Sequence, residues 1–134
     1  MSQMTDYLEA SIRTHLFRTG SFTKPTGLNI ELYTAAPGET GGGTKVTGGS
    51  YAPVSRNPSD SNWTAASGTD GLTDNAAAIT YPVPTASWGL VTHVGIEDQS
   101  GNLLLYGPLA VAKTINNGDP APNFPIGALD VVFA

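Results

Sequence analysis

Ala86-Ser-Trp-Gly-Leu-Val-Thr-His-Val-Gly-Ile-Glu-Asp-Gln-Ser-Gly-Asn-Leu-Leu-Leu-Tyr-Gly107 reads as a β-hairpin. Alternation over the first arm predicts Val91, His93 and Gly95 on one face and Leu90, Thr92, Val94 and Ile96 on the other. Asp98-Gln-Ser-Gly101 supplies a turn ending in glycine, and the apolar run Leu103 to Tyr106 returns. Trp88 is expected to seal the core beside Gly89, whose missing side chain leaves room for an indole.

Working outward, the same grammar repeats. Downstream, Gly107 to Ile115 reads as a strand entered through Gly-Pro, and Asn116-Asn-Gly-Asp-Pro120 is a turn. Residues 121 to 126 form an irregular edge piece, and Leu129 to Phe133 the last strand. Upstream, Ala76 to Pro82 is a strand closed by Pro82-Val-Pro84. Tyr51 to Ser55 is a short edge strand, because Pro53 cannot donate to a ladder. Leu28-Asn-Ile-Glu-Leu-Tyr-Thr34 alternates, which predicts Leu28, Ile30 and Leu32 inward and Asn29, Glu31 and Tyr33 outward. Roughly seven or eight strands with turns every 8 to 12 residues imply a mainly β fold. The expected architecture is an antiparallel, jelly-roll-like β-sandwich in one domain spanning 1–134. A helix occupies about 6–19 and the sandwich about 28–134.

That helix is the only one predicted. Asp6 and Glu9 have capping-box spacing, and Leu8, Ile12, Leu16 and Phe17 fall on one apolar stripe. Arg13 and Arg18 suit the C-terminal end of the dipole, and Gly20 suits the stop. Such a helix either lies against the sheet or docks on a partner subunit. Leu8, Ile12 and Leu16 are its candidate contacts.

Residues 35–50 form a glycine-rich loop containing Gly41, Gly42 and Gly43. It is not a phosphate loop: Gly43 is followed by Thr44-Lys45, and no strand runs directly into a helix. Long glycine-rich loops serve contacts or move, so these three glycines are candidate partner contacts. The polar stretch 56–75 carries one large aromatic, Trp63, which either plugs the core or anchors an interface. Asn62-Trp63-Thr64 fits a glycosylation acceptor, discounted because no secretory signal is expected here. Asp70, Asp74 and Asn75 lack the ladder of a calcium loop and read as turn formers.

Composition narrows the function. Hydrophobic residues make up 40% of the 134, as in a globular domain, but charged residues only 13%. Such a surface packs against neighbours with little charge to desolvate. The net charge is −5 with six basic residues, so no basic stripe for nucleic acid is expected. There is no cysteine, which removes disulfides and thiolate chemistry. No apolar run approaches the ~18 residues of a membrane span, so no membrane partner is expected. The two histidines, His15 and His93, lie far apart in sequence and in structural contexts. No nucleophile elbow is present, and Glu97-Asp98, the one adjacent acidic pair at the hairpin mouth, points to opposite faces. The chain is expected to be non-enzymatic, without cofactor or metal. A sugar-binding module is the rival, with Trp63, Trp88, Tyr33, Tyr51 and Tyr106 as platforms.

The order helix, Leu28 to Gly38, Thr47-Gly-Gly-Ser-Tyr-Ala52, Ala78-Ile-Thr-Tyr-Pro82, the hairpin, Ile115-Asn-Asn-Gly-Asp119 and Ile126-Gly-Ala-Leu129 resembles small virion proteins of tailed bacteriophages. Relatives are often labelled tail fibre proteins, and the pattern is also similar to β-sandwich cement proteins that decorate capsids. The resemblance implies a structural virion protein assembled in the bacterial host cytoplasm. As a cement protein it would bind the major capsid protein lattice from outside, as a homotrimer. The alternative is a tail fibre or baseplate component contacting tail proteins.

Overall fold

The computed structural model describes residues 2–65 and 71–133. In chain order the elements are β1 (Gln3–Met4), α1 (Asp6–Phe17), β2 (Leu28–Ala35), β3 (Thr44–Lys45), β4 (Val54–Ser55) and β5 (Leu72–Asp74). Then follow β6 (Ile79–Thr80), β7 (Gly89–Asp98), β8 (Leu103–Ile115), β9 (Asn123–Phe124) and β10 (Asp130–Val132). The fold is mainly β and antiparallel with one helix, as the alternation predicts. A six-stranded sheet runs β1-β8-β7-β2-β3, with β4 also on β2. Opposite it lie two two-stranded ribbons, β10-β5 and β6-β9. Their Ile79, Leu129 and Val131 join the sheet's Ile30, Leu32, Val94 and Ile96 in one core.

The hairpin β7–β8 is the spine, and its turn is held by one carboxylate. Asp98 accepts from the Ser100 and Asn102 backbone N–H groups and from Asn102 Nδ2, all at 2.9–3.0 Å. Burial pushes this carboxyl up, but those hydrogen bonds outweigh it and hold it below the ordinary range. The two arms are out of step at two places. Ile96 pairs with Leu105 and Glu97 with Leu103, so Leu104 is an extra residue, a bulge. Leu104 and Leu105 therefore both reach the core. Farther out, Val91 pairs with Lys113 and His93 with Pro108, leaving four residues of β8 opposite Thr92. That insertion breaks the simple alternation. Val91 joins Val94 and Ile96 in the core, whereas Leu90 is exposed.

Strand β2 differs from expectation on its second face. Glu31 and Tyr33 do point away from Ile30 and Leu32, yet both are buried. The strands in the turn-rich regions are shorter than the sequence suggests, and β1, β3 and β5 were not foreseen. A two-residue strand leaves no periodicity to read. The helix ends at Phe17, and its cap is Thr5: the Thr5 hydroxyl accepts from Leu8 N–H and donates to Leu103 O at 2.6 Å. A residue earlier than Asp6 therefore both caps α1 and ties it to β8.

Trp88 is buried, as expected, but Gly89 does not make its room. A Cβ on Gly49 would lie 2.8 Å from Trp88 Nε1, while one on Gly89 meets only Thr34 at 3.8 Å. The indole N–H donates to Gly49 O at 2.9 Å. Gly49→Ala is expected to destabilise by about 2–3 kcal/mol, from steric overlap added to left-handed backbone strain. Gly42→Ala, with the same sign of φ and open space around it, is expected to cost about 1 kcal/mol. Urea unfolding of both variants measures the difference.

Candidate functional site

Five of the seven predicted contact residues line two grooves beside α1; Leu16 and Gly43 line neither. On one side an apolar groove of about 570 Å³ is lined by Leu8, Ile12, Phe22, Pro58, Trp63 and Val131, among others. Trp63 thus meets Leu8 and Ile12, some fifty residues earlier, on one surface. Leu8 is buried, Ile12 half-buried and Leu16 64% exposed, so the stripe starts in the core and runs out into solvent. Trp63 is half-buried, with Nε1 donating to Arg56 O at 3.1 Å. Its environment combines the two roles weighed for it: one edge tethered, one edge lining the groove.

On the other side a polar groove of about 440 Å³ holds Gly41 and Gly42 together with Glu39, Tyr33, Lys45 and Glu97. The glycine-rich loop is built in. Gly38 and Gly41 exchange backbone hydrogen bonds at 2.9 Å, Asp6 N–H donates to Glu39 O, and Thr44–Lys45 pairs with β2. Gly43 is separated from its two neighbours in role: a Cβ there would lie 2.7 Å from Pro37 N. It is a packing glycine, whereas Gly41 and Gly42 have nothing within 4 Å of a built Cβ.

Under this groove lies a charged cluster that sequence reasoning missed. Lys45 Nζ lies 2.5 Å from Glu97 Oε1 and 3.7 Å from Glu31 Oε1. Tyr33 donates to Glu97 at 3.3 Å and Tyr51 to Glu31 at 2.9 Å. The Tyr33 ring needs Gly95 beneath it, since a Cβ there would lie 2.8 Å from Tyr33 Cε1. Burial would lower the Lys45 ammonium, but the hydrogen bond to Glu97 and the two carboxylate charges raise it above its ordinary 10.5. Burial, with the carboxylates alongside, pushes both tyrosine hydroxyls well up. The amine, the two phenols and the two carboxylates satisfy one another, an arrangement suited to holding strands. Its legible signal was Glu31 and Tyr33 on one strand face with a glycine, Gly95, across from Glu31.

The remaining candidates are placed in structure too. His15 Nδ1 accepts from Phe22 N–H at 3.1 Å, and His93 Nδ1 lies 2.8 Å from Thr92 Oγ1. Asn75, read as a turn former, is fully buried: its amide donates to Ala77 O and Pro125 O and accepts from Leu129 N–H. Asp74 sits in β5 instead of a turn, and Asp70 lies outside the described residues. Among the described residues no group of three His, Asp or Glu is placed to hold a metal ion.

A family described as podophage GP4 fiber I protein gp80 matches residues 3–132. The chain belongs to this family. It is a structural phage virion protein, and the gp80 family match spans α1 and every strand of the sheet and ribbons. None of the curated proteins compared with it matches.

Removing Lys45 leaves two buried carboxylates facing one another. Lys45→Met is expected to cost about 1–2 kcal/mol at neutral pH, discounted because the lysine side chain is 42% exposed. The folded ammonium value is raised, so the Lys45 contribution is complete below 10.5 and is lost as pH climbs through the raised value. Urea midpoints of wild type and Lys45→Met should therefore converge in strongly alkaline buffer. A gap that stays constant would contradict the ion-pair account.

Proposed function

We propose that the chain is a non-enzymatic fibre-associated component of the virion, acting as a cap or adaptor that joins other tail proteins. The observation that carries this reading is the gp80 fibre family match over residues 3–132 of a compact domain. A fibre shaft is built from repeats that stack along an axis, and no internal repeat is visible in this sequence. A compact sheet with a helix leaning out of it fits a fibre's end or joint. The mutual engagement of Lys45, Glu31, Glu97, Tyr33 and Tyr51 across neighbouring strands supports a structural role.

The capsid reading has its own support. A cement protein binds a repeating lattice over a broad surface with little charge to desolvate. The chain carries 13% charged residues, and Leu16, Phe17, Val111 and Ile126 are well exposed. In that role it would clamp the outer face of the major capsid protein in multiple copies, gaining avidity across neighbouring subunits. The sugar-binding reading has less support: of its five platforms Tyr33, Trp88 and Tyr106 are buried and Tyr51 half-buried, which leaves Trp63, half-buried beside the apolar groove.

Locating the protein in a virion reconstruction separates the two. A dozen or fewer copies at the tail is the expected result. Hundreds of copies on the head would overturn the fibre reading in favour of the capsid one.

A further inference from the structure

Helix α1 carries a second stripe, and Phe17, expected on the Leu8 stripe, belongs to it because 100° per residue turns it away from Ile12. Tyr7, Ala10, Thr14 and Phe17 recur at alternating spacings of three and four, the period of a helix-packing seam. All four are exposed, Tyr7 at 43% and Phe17 at 80%. The stripe lies on the side of the helix opposite Ile12, which faces the core. Beside it an open groove of about 430 Å³ runs between the helix and the hairpin turn, walled by Tyr7, Ala10, Thr14, Gln99 and Ser100.

We propose that this face is the contact between two copies of the chain, with the helices packed antiparallel about a two-fold axis at the level of Ile12. The occupant follows from the order of residues about that point. Residues equidistant from Ile12 come opposite each other across the axis. Tyr7 then meets Phe17, Ala10 meets Thr14, and Asp6 meets Arg18, each pair twice. Arg13 falls opposite Ser11 and Glu9 opposite His15, so no like charges face each other. A parallel alignment in register would set Asp6 on Asp6 and Arg18 on Arg18. The small residues at the centre let the backbones approach, and the groove beside Tyr7 leaves space for the partner's Phe17 ring. An isologous patch of this kind is what a two-fold pair requires.

A helix of 12 residues is about 18 Å long. Three turns bury less area than a permanent interface, so the pair is weak in solution, with a dissociation constant on the order of micromolar or higher. On a particle that holds copies close together the same contact is filled. The axis generates pairs, so it is distinct from a trimer contact, and it holds wherever on the virion the chain sits.

The chain has no cysteine, which permits a clean test. Ala10→Cys and Thr14→Cys variants are made separately, mixed and oxidised. Both positions are exposed, so the fold is not at stake. The expected result is the mixed disulfide in several-fold excess over both homodimers. Statistical proportions, or no cross-link, would overturn the proposal. Sedimentation supplies the second measurement. Phe17→Glu should raise the dissociation constant about tenfold or more. Asp6→Arg alone should weaken pairing, and Asp6→Arg with Arg18→Asp should restore it. That rescue runs against the helix dipole, so it cannot come from a better helix. Unchanged self-association in Phe17→Glu, or no restoration by the double swap, counts against the pair.

Discussion

The Tyr51 hydroxyl joins the two halves of this structure. On the side away from β7, strand β2 is paired with a gap, because β4 pairs with Asn29 and Ile30 and β3 with Tyr33 and Ala35. Between them the Leu32 N–H would be left without a strand partner. Tyr51 Oη accepts it at 2.8 Å and donates onward to Glu31 at 2.9 Å. Its ring meanwhile stacks on Tyr81 at 6.0 Å and meets Trp88 edge-on at 5.1 Å. Tyr81 in turn donates to Ile30 O, and Trp88 to Gly49 O. One aromatic column thus closes a sheet edge, fills the core and holds a carboxylate on the opposite face. Burial keeps the Tyr51 proton in place, so the hydroxyl remains a donor.

That carboxylate explains how the sheet can bury both faces. The inner face is apolar and covered by the ribbons. The second face carries Glu31 and Glu97, which could not stay buried as bare charges. Lys45 reaches across from β3 and is held by both, with the phenols of Tyr33 and Tyr51 completing their acceptors. With the lysine 42% exposed the ion pair itself adds little net stability, yet removing the lysine leaves two buried carboxylates without their cation. We read its value here as register: β3 is two residues long, and Lys45 fixes where it sits on β2.

The sequence was legible wherever a pattern ran for a whole element. The hairpin turn, the alternation of β2 and the helix stripe beginning at Leu8 are long periodic signals, and all stand in the structure. What stayed hidden was local or long-range. Leu104 is an ordinary leucine in an apolar run, and nothing in it says that it is a bulge. Glu31 read as outward, which it is, but the covering Lys45 comes from a glycine-rich loop with no period at all. The room for Trp88 comes from Gly49, 39 residues away, as the hydrogen bond between them shows. Leu8 and Ile12 were named together as a helix stripe and Trp63 apart from them, and only tertiary packing could reveal that all three share one groove.

These features bear on function through what they leave free. Several titratable groups are engaged in closing edges and turns: Glu97 with Lys45, Asp98 with its own turn, His15 with Phe22. The structural role proposed above draws on surface shape instead. The helix is anchored at its first turn by Thr5 on β8 and by Asp6 N–H on Glu39 O, while its second half stands clear of the sheet. An element fixed at one end and open at the other presents a defined face at little further ordering cost, because its first turn is already immobilised. The inner stripe of α1 opens the apolar groove and the outer stripe faces solvent. A single helix thus gives this small virion protein two different surfaces, set at a fixed angle by the same hydroxyl of Thr5.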